Sequence, residues 1–308
     1  MNRLFIIGNG FDRDHKLPTG YGNFREHAKE SCNGRCNYMP GTSIDSDGGV
    51  FVSSNFAYGF MLALLDGYYG EKWGDIEEAL PNLDYLQYFE DFDMDEAIND
   101  DDDDAMFHAI YNREDTASDL APCVLKIREL IEEWLETIDT YTVRQKKKYS
   151  KVFDEALFLT FNYTDTLEQV YKIDSERICH IHGILGQEIV FGHGQECKLY
   201  EEETWKTFRI AEALNDLLKL LKKDVYGCIR ENISFFDAIS KEPIQHIYSI
   251  GFSFADVDLE YIREICRRMD TSKVVWHLTQ HNKKGNEIQK FEHTIRGCGF
   301  KGKFGGLI

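Results

Sequence analysis

The stretch Arg3-Leu4-Phe5-Ile6-Ile7-Gly8-Asn9-Gly10-Phe11-Asp12 constrains the fold more than any other part of the chain. Leu4 to Ile7 form an apolar run too short for a helix, and it leads directly into two glycines flanking an asparagine. Such a run reads as a buried strand ended by a tight turn. Without Cβ atoms, Gly8 and Gly10 let a ligand approach the backbone closely, and N–H groups at a following helix start favour an anion there. Two readings stand at this point, a phosphate-binding turn or a plain strand end, because two glycines fall short of the three-glycine dinucleotide fingerprint.

The pattern recurs. Leu157 to Phe161 runs into Asn162-Tyr163-Thr164-Asp165, where Asn162 or Thr164 is placed to cap a helix carrying Leu167, Val170 and Tyr171. Ile178-Cys179-His180-Ile181-His182-Gly183 reads as a short strand whose two-residue repeat sets His180 and His182 on one face. Ile247 to Ile250 leads through Gly251-Phe252-Ser253 to a helix with Leu259, Ile262 and Ile265, and Ser253 with Asp256 has the spacing of a capping box. Val274 to Thr279 is a further strand before His281-Asn282, and the Gly-rich tail is read as an edge strand. Strands that end in small or polar residues are the plan of an open parallel α/β sheet, in which ligands sit beyond the carboxyl ends.

Between the first two strands the sequence is mostly helical. Helices are expected at Tyr21 to Lys29, Phe56 to Leu65, Trp73 to Leu80 and, as one long amphipathic helix, from Leu120 to Ile138. Residues 32–55 read as a long irregular excursion, and the aspartate run Asp100 to Asp104 as a solvated loop. Asp75 and Glu77 are open between a pocket role and an acidic first helical turn. The expected division is residues 1–25 plus 151–308 as a Rossmann-like nucleotide-binding domain, with 26–150 as a helical insertion or cap. After His182, Glu188 to Phe191 reads as a strand into Gly192-His193-Gly194, with His193 as a turn or pocket residue. Helices follow around Trp205 to Leu221 and over Ile229 to Ile239.

Charge narrows the partners. A net charge of −19 argues against general nucleic-acid binding and against anionic membranes, since phosphate backbones are held by Lys and Arg. The basic runs Lys146-Lys147-Lys148 and Lys222-Lys223 read as solvated helix ends. Eight cysteines without a signal peptide or a membrane-length apolar run lead to the expectation of a reduced, cytoplasmic protein. Cys32 and Cys36 lack the second pair of a zinc site, and no metal is expected.

Gly8-Asn9-Gly10-Phe11-Asp12 with Leu17-Pro18-Thr19 and Phe24, Trp73-Gly74-Asp75-Ile76-Glu77, Asn162-Tyr163-Thr164-Asp165, His180-Ile181-His182-Gly183 and Gly251-Phe252-Ser253 resemble, in that order, the AbiH family of bacteriophage abortive-infection proteins. More distantly, the same motifs are similar to the sirtuin-type NAD-binding fold. That resemblance implies that Gly8, Asn9, Gly10, Phe11 and Asp12 contact a dinucleotide, and that Pro18, Phe24 and Arg25 close over nicotinamide and ribose. It further implies that Asn162 and Asp165 form the Asn-containing motif, that His182-Gly183 is the catalytic His-Gly, and that Gly251, Ser253 and Asn282 lie on the adenosine side. Asp12 stands where sirtuins carry a small hydroxyl residue, and the paired Cys-x-x-Cys module of deacylation is absent, so deacylation is disfavoured.

The expectation is therefore a sirtuin-like NAD glycohydrolase of antiviral defence, with NAD as substrate. Cleaving nicotinamide from ribose requires placement more than nucleophilic power, because positive charge builds on the sugar as a good leaving group departs. His182 suits a general base, with an unperturbed pKa of roughly 6.5. Asn162 orients water or ribose, and Asp12 or Asp165 meets the carboxamide or the developing cation. The alternative is a sensor that binds a nucleotide or ADP-ribose derivative without cleaving it and signals to a partner. A homo-oligomer or a defence-system protein is the expected partner.

Overall fold

The computed structural model describes residues 1–89, 103–196, 199–201, 207–279 and 285–306. Its strands are β1 (Arg3–Ile7), β2 (Ser43–Ile44), β3 (Val50–Phe51), β4 (Ala156–Thr160), β5 (Ile178–His180), β6 (His246–Ile250), β7 (Val275–Leu278) and β8 (Lys303–Phe304). Six form one sheet in the order β5-β4-β1-β6-β7-β8, and every pairing is parallel. The chain is thus a mixed α/β protein built on a parallel sheet.

The sheet order follows from how β1 is buried. Parallel strands covered on both faces read as continuous apolar runs, and Leu4, Phe5, Ile6 and Ile7 are all fully buried. Leu4 and Ile6 face one core with Leu157, Leu159 and Ile247, and Phe5 and Ile7 face the other with Phe153, Phe158 and Ile250. In register, Ile7 lies beside Thr160 of β4 and Ile250 of β6, so the three strands end at one level. The loops Gly8-Asn9-Gly10, Phe161 to Asp165 and Gly251 to Ser253 leave the sheet there.

The chain forms two compact units. One takes in Met1–Gly20, Leu135–Val190 and Asp224–Ile308 and contains the six-stranded sheet; the other takes in Tyr21–Trp134 and Phe191–Lys223. The second is mostly helical, with the hairpin β2–β3, and its helix Ser54–Tyr69 starts at Ser53, whose side chain accepts from the Phe56 N–H.

Several local expectations are corrected. The helix expected from Leu120 to Ile138 is two, Asp103–Leu125 and Ile127–Leu135, meeting at Lys126, where the Lys126 N–H still donates to the Pro122 carbonyl and the Leu130 N–H to the Lys126 carbonyl. The helix after Trp73 begins only at Ile76, because Asp75 caps it by accepting from the Glu77 and Glu78 N–H groups. Residues 188–191 form no strand, and Ile229 to Ile239 divides at Asn232 into Val225–Glu231 and Ile233–Lys241. Ser253 is exposed and makes no capping box; the helix Leu259–Arg268 follows a 3-10 turn at Asp256–Asp258. The helix opening at Asp103 takes in the end of the aspartate run, whose first three members lie outside the described residues, as do Trp205 and Asn282. Among the described residues, no helix is long and apolar enough to cross a membrane.

Candidate functional site

At the ends of β1 and β6 two loops meet backbone to backbone. The Gly8 N–H donates to the Ile250 carbonyl at 3.0 Å, the Gly10 N–H to the Gly251 carbonyl at 2.9 Å, and the Phe11 N–H to the Gly8 carbonyl at 2.9 Å. A Cβ on Gly8 would lie 2.6 Å from the Gly251 oxygen, and one on Gly251, at φ +63°, would lie 2.3 Å from the Phe11 nitrogen. Close approach of two protein loops thus accounts for these glycines. Asn9 braces the same loop by donating through Nδ2 to the Thr19 carbonyl at 2.7 Å while accepting from the Thr19 hydroxyl.

Beside that contact lies a buried polar cluster. The helix Gly10–Asp14 turns the Asp12 side chain under the loop after β4, where the Thr164 hydroxyl donates to Asp12 Oδ2 at 2.6 Å and shares a 3.0 Å contact with the Thr166 hydroxyl. Thr164 therefore serves Asp12 rather than capping the helix Thr166–Tyr171, whose N-cap position is Asp165. Asp12 is 1 % exposed. Burial pushes its carboxyl up to about 6, against the opposing pull of Thr164, Thr166, Asn162 and His180.

The cluster is incompletely satisfied. Asp12 Oδ1 and both side-chain polar atoms of Asn162 are buried without a hydrogen-bond partner among the described residues. Each such group costs about 1–3 kcal/mol if left unmade. His180 closes the cluster, with Nδ1 3.2 Å from the Asn162 carbonyl and Nε2 2.8 Å from Glu168 Oε1. Thr166 and Glu168 escape sequence reading, since nothing in their spacing announces a partner at Asp12 or His180.

His180 and His182 do not share a face. β5 stops at His180 and the chain turns at Ile181-His182, with Gly183 at φ +82°, so the two-residue alternation ends one step early. His182 is buried with Nε2 3.1 Å from the Tyr261 hydroxyl and 3.7 Å from Asp258 Oδ1, and its ring meets Phe161 and Tyr261 edge to face.

The remaining expected residues are dispersed. Phe11 packs with His15, Tyr149, Phe153 and Tyr171 in the apolar core below Ile7. Pro18 is exposed and lines a cavity with His15 and Lys146. Phe24 and Arg25 belong to the second unit: Phe24 packs among Tyr58, Trp73 and Trp134, and Arg25 holds Asp66 through two 2.8 Å bonds, with the Trp73 indole donating to the same carboxylate. Asp165 accepts from the Thr140 hydroxyl at 2.7 Å. Glu77 pairs with the buried Lys223 ammonium at 2.7 Å and accepts from the Gly192 N–H, and His193 is buried with Nε2 2.9 Å from the Leu218 carbonyl. Asp75 serves as a helix cap.

Of these motifs, the tips of β1 and β4 converge on one unsatisfied polar cluster. The family model described as Bacteriophage abortive infection AbiH matches residues 4–280, a span that contains every group in it. The chain belongs to the AbiH family. Comparison with curated proteins and with solved structures returned no match. For this AbiH-family chain, the description places the molecule in phage abortive infection, and the chemistry has to be read from the cluster itself.

Proposed function

We propose that this AbiH-family chain is an antiphage effector that binds a nucleotide beyond the carboxyl ends of β1 and β4 and hydrolyses NAD to nicotinamide and ADP-ribose. The observation that carries the reading is the buried Asp12–Asn162 pair, whose free polar atoms call for a ligand. Counting sheet strands alone, the order is 3-2-1-4-5-6, that of doubly wound dinucleotide-binding sheets, and the cluster lies next to the point where the order reverses. The distant resemblance of the motifs to the sirtuin-type fold supports NAD over other nucleotides.

In the reaction the C–N bond between nicotinamide and ribose breaks, and nicotinamide departs with the bonding pair. A water oxygen then bonds to the anomeric carbon. Asp12 takes the proton that water releases and stabilises the cationic sugar, a role for which a carboxyl near pKa 6 is suited at neutral pH. Asn162 positions the water or the ribose hydroxyls without adding charge. We assign the base role to Asp12 rather than to His182, since the His182 Nε2 is engaged by the Tyr261 hydroxyl in a ring-lined site. His182 is the positioning residue for the turn after β5.

The test is release of nicotinamide from NAD by the purified chain, measured by liquid chromatography with mass detection. Asp12→Asn is expected to lower the rate by about a hundredfold or more, the usual scale of general-base loss, with His182→Ala retaining more activity. If His182→Ala abolishes turnover and Asp12→Asn does not, the base is His182, as the motif resemblance implies. Saturable NAD binding with no nicotinamide from the wild-type chain would establish the sensor instead.

A further inference from the structure

The sheet-bearing unit holds a cavity of about 630 Å³ on the other side of the helix Gly10–Asp14 from the Asp12 cluster. Asp12 and Asp14 are two residues apart, so their side chains leave the helix about 200° apart at ~100° per residue. Asp12 meets Thr164, whereas Asp14 meets Lys146 and Lys148, each ammonium within 2.9 Å of its carboxylate, and accepts from the Tyr149 hydroxyl at 2.8 Å. One carboxylate held by two ammoniums leaves a net positive charge. The cavity is lined by three cations, Lys16, Arg144 and Lys146, against the carboxylates Asp14 and Asp139, with Leu17, Pro18 and Val143 as its apolar side chains.

These cations are out of character for the chain. Its net charge is −19, yet residues 144–151 carry Arg144, Lys146, Lys147, Lys148 and Lys151 and no acid. Lys16 and Arg144 are exposed, and their side chains make no ion pair or hydrogen bond among the described residues. Asp139 also lines the cavity, but its Oδ1 accepts from the Tyr141 N–H at 2.8 Å, within its own turn. Lys16 sits at φ +66°, the left-handed stop that follows the helix Gly10–Asp14, with its N–H on the Arg13 carbonyl and the Leu17 N–H on the Asp12 carbonyl. Cations brought together over a concavity repel one another until an anion arrives, and the volume lies within the range of small-ligand pockets.

We infer that this cavity binds a nucleotide carrying at least a diphosphate, with Lys16, Arg144 and Lys146 on the phosphates and Leu17, Pro18 and Val143 against the base or ribose. It is a second site, apart from NAD cleavage at Asp12, and it stands or falls separately.

Calorimetric titration of the full chain with ADP, adenosine and inorganic phosphate tests it. The wild-type chain is expected to bind ADP, more weakly as salt rises, and adenosine at least tenfold more weakly than ADP. Lys16→Ala with Arg144→Ala, both exposed positions, is expected to lower ADP affinity at least tenfold with an unchanged melting temperature. Failure of the wild-type chain to bind ADP, equal affinity of the double variant, or equal affinity for adenosine would overturn the proposal. None of these outcomes bears on nicotinamide release, which reads the Asp12 site alone.

Discussion

Asp12 holds a charge in a place that disfavours it. Its carboxyl titrates near 6 in the folded chain against 3.8 in the unfolded one, so between those pH values the folded state binds more protons. Stability therefore falls as pH rises through that window, and at neutral pH the full penalty stands, on the order of 3 kcal/mol for about two pH units. Asp12→Asn removes the charge, keeps an acceptor for Thr164, and places an amide beside Asn162. It is expected to raise the melting temperature at pH 7.5, with the gain shrinking towards pH 4, while lowering nicotinamide release; a loss of stability at pH 7.5 would show that the carboxylate is held for structure. The Glu77–Lys223 pair is the opposite case. The Lys223 ammonium is buried and matched by a half-buried Glu77, so Lys223→Met alone is expected to cost up to about 3 kcal/mol in denaturant unfolding, and adding Glu77→Leu to recover most of it. Equal stability of the single and double variants would contradict that pairing.

At the scale of elements, the sheet was legible because its strands are buried on both faces and so stand out as apolar runs. Leu4 to Ile7, the run from Leu157, the run from Ile247 and the segment from Val274 all became strands, and the Gly-rich tail supplied the edge strand β8. What could not be read were endings decided by contacts distant in sequence. The alternation of Ile178 to His182 continues on paper past the point where the chain turns, and Thr164 looks like a cap until Asp12 arrives to take its hydroxyl. Gly8 and Gly10 read from sequence as room for a ligand, whereas the group that approaches them in the structure is the backbone of the loop after β6. Gly8→Ala would drive a methyl into the Gly251–Phe252 backbone with no rotamer to relieve it, so it is expected to destabilise by more than about 2 kcal/mol by thermal or denaturant unfolding. A neutral Gly8→Ala would mean that the β1 and β6 loops are not packed as described.

Over the whole molecule, composition excluded more than it identified. A charge of −19 speaks against a general polyanion binder, but it averages over the cationic run at 144–151 and cannot show where Asp14 gathers its lysines. The second compact unit brings Phe191–Lys223 together with Tyr21–Trp134, joined to Glu77 through Lys223 and Gly192 in a way no local pattern reveals. The Asp12–Asn162 cluster joins motifs 150 residues apart in sequence; Asp12, Asn162, Thr164 and His180 all stand in motifs visible in the sequence, whereas Thr166 and Glu168 do not. The most direct measurement is nicotinamide release from NAD as a function of pH for the wild-type chain and Asp12→Asn. The expected result is a wild-type rate that climbs through about pH 6 to a plateau as Asp12 ionises, with that limb missing from the variant. A wild-type chain that releases no nicotinamide at any pH, or a profile that Asp12→Asn leaves in place, would contradict it.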